Sequence, residues 1–137
     1  MIGSDLGSIK KKIILRTFFC FGEADAVFKT RLFGRYVIGE YKHRVYKGKI
    51  RYREYYQTML YMGAAQSTFK TKNVIGYLRF RNETVRIKFE PIVYEALQRK
   101  AKELNKFNKN NLYTKPQPLH VELGSSFPIT RFKLINS

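Results

Sequence analysis

The chain has 137 residues, of which 44% are hydrophobic and 15% aromatic, and its 27 Lys and Arg against 10 Asp and Glu give a formal net charge of +17. This length and aromatic content exclude a disordered basic tail and predict a single domain over residues 1–137. No apolar run reaches the roughly 18 to 20 residues of a transmembrane helix, and the excess of cations is typical of a polyanion-binding protein.

Few residues could support metal or covalent chemistry. Cys20 is the one cysteine, so no internal disulfide can form, and its phenylalanine neighbours indicate a buried strand residue. His43 and His120 are isolated from each other and have no cluster of carboxylates beside them, which predicts neither a metal site nor a cofactor. The sequence contains no nucleophile elbow and no phosphate-binding glycine loop, so we expect a protein that is not an enzyme. A metal-independent nuclease that uses His43 is the alternative.

The amino-terminal part reads as an arm followed by strands. Residues 1–9 are polar and form the predicted arm of a β-rich core that spans residues 10–89. A nearly continuous apolar run predicts a buried strand over 10–21, and a turn follows at 22–26. The next predicted strand, 27–38, is interrupted at Gly34, where we expect a bulge or bend.

A basic hairpin is predicted over residues 41–53. A two-residue turn at Lys47 and Gly48 would place Arg44 opposite Arg51 and Lys42 opposite Arg53, with His43 and Tyr52 on the other, packed face. Like charges that face each other across a sheet cost about 0.2–1 kcal/mol per pair, so this arrangement favours an anionic partner. We expect the second strand to reach residue 56 and to continue through 57–62, before a polar loop over 62–72.

A second hairpin is predicted over residues 73–89. A turn at Asn82 and Glu83 would pair Leu78 with Ile87 and Arg79 with Arg86. Side chains that alternate along both strands then form an apolar face and a cationic face, and the cationic face carries Arg79, Arg81, Arg86 and Lys88.

The pattern changes to a helical period after Pro91. Val93, Leu97, Ala101 and Leu104 recur at helical spacing and predict an amphipathic helix at about 91–107, within the segment 90–108. The asparagine-rich stretch 105–111 predicts its end. Residues 109–137 should form an extended segment with short strands at 119–123 and 129–135 around a turn at 124–128.

This order of elements predicts an α+β fold: mainly an antiparallel sheet or a small barrel of hairpins, with one amphipathic helix and irregular terminal arms. The N-terminus has neither a secretory signal nor a mitochondrial presequence. We therefore expect an intracellular protein that is not secreted, in a ribonucleoprotein particle, a mitochondrion or another organelle.

The expected function is non-catalytic nucleic-acid binding, with RNA preferred to DNA. We predict a structural component of a ribonucleoprotein such as a ribosome, including an organellar one, with other proteins of the assembly as neighbours. The predicted phosphate-binding residues are Lys42, Arg44, Lys47, Lys49, Arg51, Arg53, Arg79, Arg81, Arg86, Lys88, Arg99, Lys102 and Lys106. Tyr46 and Tyr55 are predicted to stack on bases.

Three alternatives remain open from the residues alone. A viral or mobile-element protein that binds or packages DNA would carry the same charge. An accessory subunit of a membrane-associated complex would use its cations against acidic lipid or acidic protein. In the third, the tyrosines belong to the core and the cations are merely solvated.

Overall fold

The computed structural model describes residues 14–16, 21–23, 26–29, 34–110 and 118–136. The strands are β1 (Ile14–Arg16), β2 (Phe21–Glu23), β3 (Ala26–Lys29), β4 (Tyr36–Tyr41), β5 (Lys49–Arg51), β6 (Val74–Arg79), β7 (Thr84–Ile87) and β8 (Lys133–Ile135). The helices are α1 (Tyr52–Phe69), α2 (Pro91–Asn110) and α3 (Leu119–Leu123), with a 3₁₀ turn at Gly124–Ser126. The predicted α+β class is confirmed. The predicted arm at residues 1–9 and Cys20 lie outside the described residues.

A four-stranded mixed sheet in the order β3-β4-β6-β7 organises the fold. β4 and β6 run parallel, with Ile38 opposite Gly76, and α1 provides the crossover between them. The outer pairs, β3 with β4 and β6 with β7, are antiparallel. β1 pairs with β2 and β5 pairs with β8 in two further two-stranded sheets.

One face of the four-stranded sheet, the inner face, is covered by α1. Ile38 and Leu78 point to this face and are fully buried together with Met62 of the helix. Gly76 allows the close approach, because an added Cβ would lie 2.9 Å from both Met62 Sδ and Thr58 Cγ2. The opposite, outer face of the sheet therefore points away from α1.

The helix α1 replaces the strand and loop that were predicted over residues 52–72, so that prediction was wrong. Tyr55, Met59 and Met62 are all buried, and their spacing of four and three residues is that of one helical face. The helix ends at Lys70, which adopts a left-handed conformation (φ 52°) and donates its N–H to the Gln66 carbonyl.

The amphipathic helix that the sequence predicts at about 91–107 is confirmed as α2. It begins at Pro91, and Val93 and Ala96 are buried on its apolar side. The helix extends to Asn110, which is three residues past the predicted end at about 107 and lies within the asparagine-rich stretch 105–111. α2 packs against α1 on the helical side of the sheet, where the ring of Tyr94 lies directly over Gly63.

The predicted basic hairpin at residues 41–53 does not form. β5 instead pairs in parallel with β8, near the end of the chain, and α1 begins at the next residue. Gly48 has the predicted positive φ of 79°, but His43 and Val45 are exposed and not packed. Tyr52 stacks on His120, with ring centroids 4.2 Å apart, and not on His43.

The second hairpin is confirmed as β6 and β7, with a register two residues from the predicted one. Leu78 lies opposite Val85 and not opposite Ile87. A shift of two residues leaves every side chain on its predicted face. Leu78 and Ile87 are accordingly buried, whereas Arg79 and Arg86 are exposed.

The remaining terminal predictions are corrected in part. Gly34 (φ 60°) lies in the connection between two antiparallel strands, β3 and β4, and not at a bulge within one strand. β2 occupies the start of the predicted turn at 22–26. Residues 119–123 form α3 and not a strand, and the strand expected over 129–135 is limited to Lys133–Ile135.

Candidate nucleic-acid interface

Arg44 forms an ion pair with the buried Glu54, an arrangement that the sequence did not predict. The Arg44 guanidinium donates two hydrogen bonds to the Glu54 carboxylate, with Nη2 2.6 Å from Oε1. The same guanidinium lies 5.0 Å from the centroid of the Phe80 ring. Glu54 is 4% exposed and also accepts the backbone N–H of Arg51 at 3.0 Å. The Arg44 guanidinium is therefore already paired with an acid of the fold, and its role as a phosphate ligand stays a prediction.

Glu54 remains charged within this buried setting. Burial by itself would raise the pKa of Glu54, but the hydrogen bonds from Arg44 and from the Arg51 N–H, with the charges of Arg44 and Lys42, outweigh it. The pKa of Glu54 is consequently lowered from its ordinary value of 4.5. The hydrogen bond that Arg44 donates to Glu54 correspondingly raises the pKa of Arg44.

The segment 42–47 runs along the end of β6 and the β6–β7 turn. Lys42 donates its N–H to the Arg79 carbonyl at 2.8 Å, and Arg81 donates its N–H to the Arg44 carbonyl at 3.0 Å. The Asn82 side chain forms two hydrogen bonds with the Tyr46 backbone: Asn82 Oδ1 accepts from the Tyr46 N–H at 2.7 Å, and Asn82 Nδ2 donates to the Tyr46 carbonyl at 3.1 Å. Two basic segments that are about 35 residues apart in sequence thus lie side by side.

These contacts bring together exposed cations from both segments, which we call the basic surface. Among the predicted residues, its members are Lys47 from the first segment and Arg79, Arg81, Arg86 and Lys88 from the second. Lys49 and Arg53 are also exposed, on β5 and in the first turn of α1. Lys42 and Arg51 are half-buried beside it. Within the described part of the chain, no acidic side chain forms an ion pair with Arg81, Arg86 or Lys88.

Two tyrosines share the outer face with the arginines of the hairpin. Tyr41, which is 54% exposed, pairs with Arg79 across β4 and β6, and the half-buried Tyr77 pairs with Arg86 across β6 and β7. Aromatic rings beside cations can stack on bases while the cations hold phosphates. Neither tyrosine was among the predicted stacking residues. Tyr77 could have been predicted from the alternation of side chains along a strand, which places residues 77 and 79 on the same face of the sheet.

Lysines oppose each other at the junction of β5 and β8. Lys49 is the register partner of Lys133, both are exposed, and the Lys133 N–H donates to the Gly48 carbonyl at 2.9 Å. This is the opposition of like charges that the sequence predicted for Arg44 and Arg51. It occurs instead between residues that are 84 positions apart.

The cations of α2 do not share the outer face of the sheet with Arg79 and Arg86. Arg99 Nη2 lies 3.3 Å from Glu122 Oε1, and Lys100 Nζ lies 2.6 Å from Glu122 Oε2. The hydrogen bond from Lys100, and then the contact with Arg99, lower the pKa of Glu122. Lys102 is exposed, whereas the side chain of Lys106 lies outside the described residues. Arg99 is therefore partly neutralised within the fold.

The two predicted stacking residues differ in accessibility. Tyr55 is 1% exposed and packs on Phe127 and Phe132, each at 6.0 Å between centroids, so it cannot stack on a base. The alternative that the tyrosines belong to the core therefore holds for Tyr55. Tyr46 is half-buried and packs on Phe80 at 5.1 Å. Burial and the charge of Glu83 raise the pKa of Tyr46.

The described residues contain no helix that is both long and apolar enough to cross a bilayer, and no group of three or more His, Cys, Asp or Glu side chains arranged to hold a metal ion. No protein-family model matches the chain, and comparison with curated proteins and with solved structures finds no match either.

Proposed function

We propose that this protein is a non-catalytic, RNA-binding structural component of a ribonucleoprotein particle such as a ribosome, and that it binds folded RNA through the basic surface. The observation that carries the proposal is the contact between the segment 42–47 and the β6–β7 turn. Because of it, exposed cations from two distant segments lie side by side in a chain of net charge +17.

The chemistry of the surface favours phosphate contacts over the reading of base sequence. Lysines and arginines neutralise phosphates and release counterions, which supplies affinity with little sequence information. The tyrosines at positions 41 and 77 can add stacking on unpaired bases. RNA presents both features together, because its folded forms expose phosphate ridges and splayed bases.

Binding that depends on phosphates should weaken steeply with salt. If six to ten phosphates are neutralised, log K should fall with log salt at a slope of roughly −4 to −9, depending on strand state. Fluorescence anisotropy with a labelled RNA hairpin over a salt series measures this slope. A slope near zero would contradict the proposal.

The surface itself can be tested with charge-removing substitutions. Arg81→Ala and Arg86→Ala should each lower the affinity and make the salt slope shallower by about 0.7 to 0.9. Lys72→Ala is the matched control, since Lys72 is exposed and precedes the start of β6, about 20 Å from its Arg79 end. An equal loss with Lys72→Ala would show that general charge, and not this surface, determines binding.

The same measurement separates RNA from other polyanions. Tighter binding to folded RNA than to duplex DNA at equal salt supports the proposal. Tighter binding to duplex DNA would instead favour a genome-packaging role. Binding to anionic lipid vesicles without binding to RNA would favour a membrane-associated assembly.

A further inference from the structure

A cleft of about 600 Å³ lies along β7, which is the last strand of the four-stranded sheet. Thr84, Val85 and Arg86 line it, although their side chains alternate between the two faces of the sheet, and no residue of β6 lines it. Residues 129–132 form another part of its wall. The cleft therefore lies beside the edge of the sheet and not over either face.

The backbone of β7 alternates between groups that bind β6 and groups that point away from it. At the turn, Phe80 donates its N–H to the Glu83 carbonyl at 2.8 Å. Hydrogen-bonded and non-bonded pairs alternate along an antiparallel ladder, so the register makes Leu78 and Val85 the next hydrogen-bonded pair. The N–H and C=O of Val85 are thus used on β6.

The N–H and C=O groups of Thr84 and Arg86 point the other way, toward the cleft. Their register partners, Arg79 and Tyr77, belong to the non-bonded pairs. In agreement with this, the Arg79 carbonyl accepts the N–H of Lys42, on the side of β6 away from β7. Among the strands that the structure describes, none pairs with this edge of β7. Such an edge is a template for an added strand.

The cleft has room for a strand of the same length as β7. A strand of four residues is about 13 Å long, lies about 4.8 Å from its neighbour and takes up about 10 Å between packed layers. These dimensions correspond to a volume of roughly 600 Å³. The cleft has this volume.

The charged residues of the cleft wall indicate acidic side chains on an added strand. Arg86 and Lys88 are exposed and alternate along the chain, so they share one face of the edge, and Arg131 is exposed in the wall formed by residues 129–132. Glu83 and Glu90 also line the cleft, but they come before β7 and after Lys88. Opposite charges across neighbouring strands are favourable, so acidic residues in the middle of the added strand would match these cations.

The other face of an added strand would meet apolar side chains. Val85 is half-buried against the core, Phe132 is 9% exposed, and Ile129 is fully exposed. All three line the cleft. Apolar residues at alternate positions of the added strand would cover them, because successive side chains of a strand point to opposite faces.

We propose that this edge of β7 docks an extended acidic segment of another protein, which alternates acidic with apolar residues and adds a fifth strand to the sheet. A peptide backbone supplies donors and acceptors at the spacing of β7, whereas the phosphates of a nucleic acid only accept. The docking is separate from the proposed RNA binding, since it uses the backbone of the edge strand.

The test uses the full-length protein and a fluorescein-labelled heptapeptide in which glutamate and valine alternate, with fluorescence anisotropy as the readout. This peptide should bind on the order of tenfold more tightly than one with lysine in place of glutamate. Two further peptides carry N-methyl groups on the glutamate amides or on the valine amides. Only alternate N–H groups of a docked strand face β7, so one methylated peptide should lose on the order of tenfold in affinity and the other should keep it.

Amide hydrogen exchange followed by NMR locates the docked peptide. In the free protein, the N–H groups of Thr84 and Arg86 should exchange faster than that of Val85, which is bonded to β6. Saturating peptide should slow the exchange of Arg86 on the order of tenfold or more and leave that of Val85 nearly unchanged.

A charge reversal in the wall tests the acidic partner. Arg131→Glu should weaken binding of the glutamate peptide severalfold. Lys102→Glu is the matched control, because Lys102 is exposed on α2 and does not line the cleft. An equal loss with both variants would show that the net charge of the protein, and not this cleft, attracts the peptide.

Three other results would overturn the docking site. The peptide could fail to bind, it could bind without slowing the exchange of Arg86, or both methylated peptides could behave alike. Protection of the Arg86 N–H by an RNA hairpin and not by the peptide would assign the cleft to RNA instead. Salt-dependent RNA binding is measured without the peptide, so the proposed function stands or fails separately.

Discussion

Replacing Arg44 by methionine keeps most of the aliphatic volume of the side chain but leaves Glu54 without its main counter-charge. Removing one partner of a buried ion pair costs about 3–5 kcal/mol, because the other charge stays buried and unpaired. Here the Glu54 side chain is 5% exposed and that of Arg44 is 30% exposed, so water can partly reach the space that Arg44 leaves. We therefore expect a loss of about 2–3 kcal/mol in the free energy of unfolding.

Urea denaturation followed by circular dichroism measures this loss, and the cycle of Arg44→Met, Glu54→Gln and the double variant isolates the pair. Arg81→Met is the matched control, since Arg81 is an exposed cation of the neighbouring turn and should change stability by about 0.5 kcal/mol or less. If Arg44→Met cost no more than this control, Arg44 would not be a structural residue and the reasoning would fail.

The pH dependence provides an independent check on the same pair. The pKa of Glu54 is lower in the folded state than its ordinary value of 4.5. A group of this kind contributes stability that is present above pH 4.5 and is lost as the pH falls through the folded-state pKa. The stability difference between wild type and Arg44→Met should therefore shrink below pH 4.5, and a constant difference would contradict the assignment.

Two further substitutions test the packing of the helices and the opposed lysines. Gly63→Ala would place a Cβ 2.0 Å from Cε1 of Tyr94. We expect thermal denaturation to show a loss of about 1 kcal/mol in stability, even though alanine normally favours a helix over glycine. A stabilised variant would contradict the close contact between Gly63 and Tyr94. Lys133→Glu should raise stability by about 0.2–1 kcal/mol, because it gives Lys49 an opposite charge across the strands, and should weaken RNA binding. A variant that gains stability and keeps full affinity would remove Lys133 from the binding surface.

The parts of the fold that follow from the sequence are those with a long, regular pattern. The helix that begins at Pro91 has four apolar residues at helical spacing, and the β6–β7 hairpin alternates apolar and charged residues on both strands. In the hairpin, a shift of two residues changes the partners but not the faces. The exposure of Arg79 and Arg86 could thus be predicted without the correct register.

The helix α1 was missed because its residue types and its period disagree. Tyr52, Tyr55 and Tyr56 favour strands by propensity, and the glycine at position 48 suggested a tight hairpin turn. The spacing of Tyr55, Met59 and Met62 nevertheless follows a helix, and burial of that face against the sheet decides the outcome. Tertiary packing here overrides local preference.

The candidate site could be predicted only in part, for a related reason. Whether an arginine is free for a phosphate depends on which acid lies near it, and Glu54 reaches Arg44 only because α1 begins directly after β5. The opposition of Lys49 and Lys133 likewise joins residues that are 84 positions apart. Contacts of this range have no local signal in the sequence.

Among the cations in the described part of the chain, some are paired with an acid of the fold and two lie opposite each other. Arg44 is paired with Glu54, and Lys100 shares Glu122 with Arg99. Lys49 and Lys133 lie opposite each other at a cost of about 0.2–1 kcal/mol, which an acidic residue at either position would remove. A phosphate between them would turn that repulsion into two attractive contacts. A bound polyanion would thus recover the free energy that the fold loses at β5 and β8, and the opposed lysines rather than the total charge are the stronger reason to propose a polyanion on this side of the molecule.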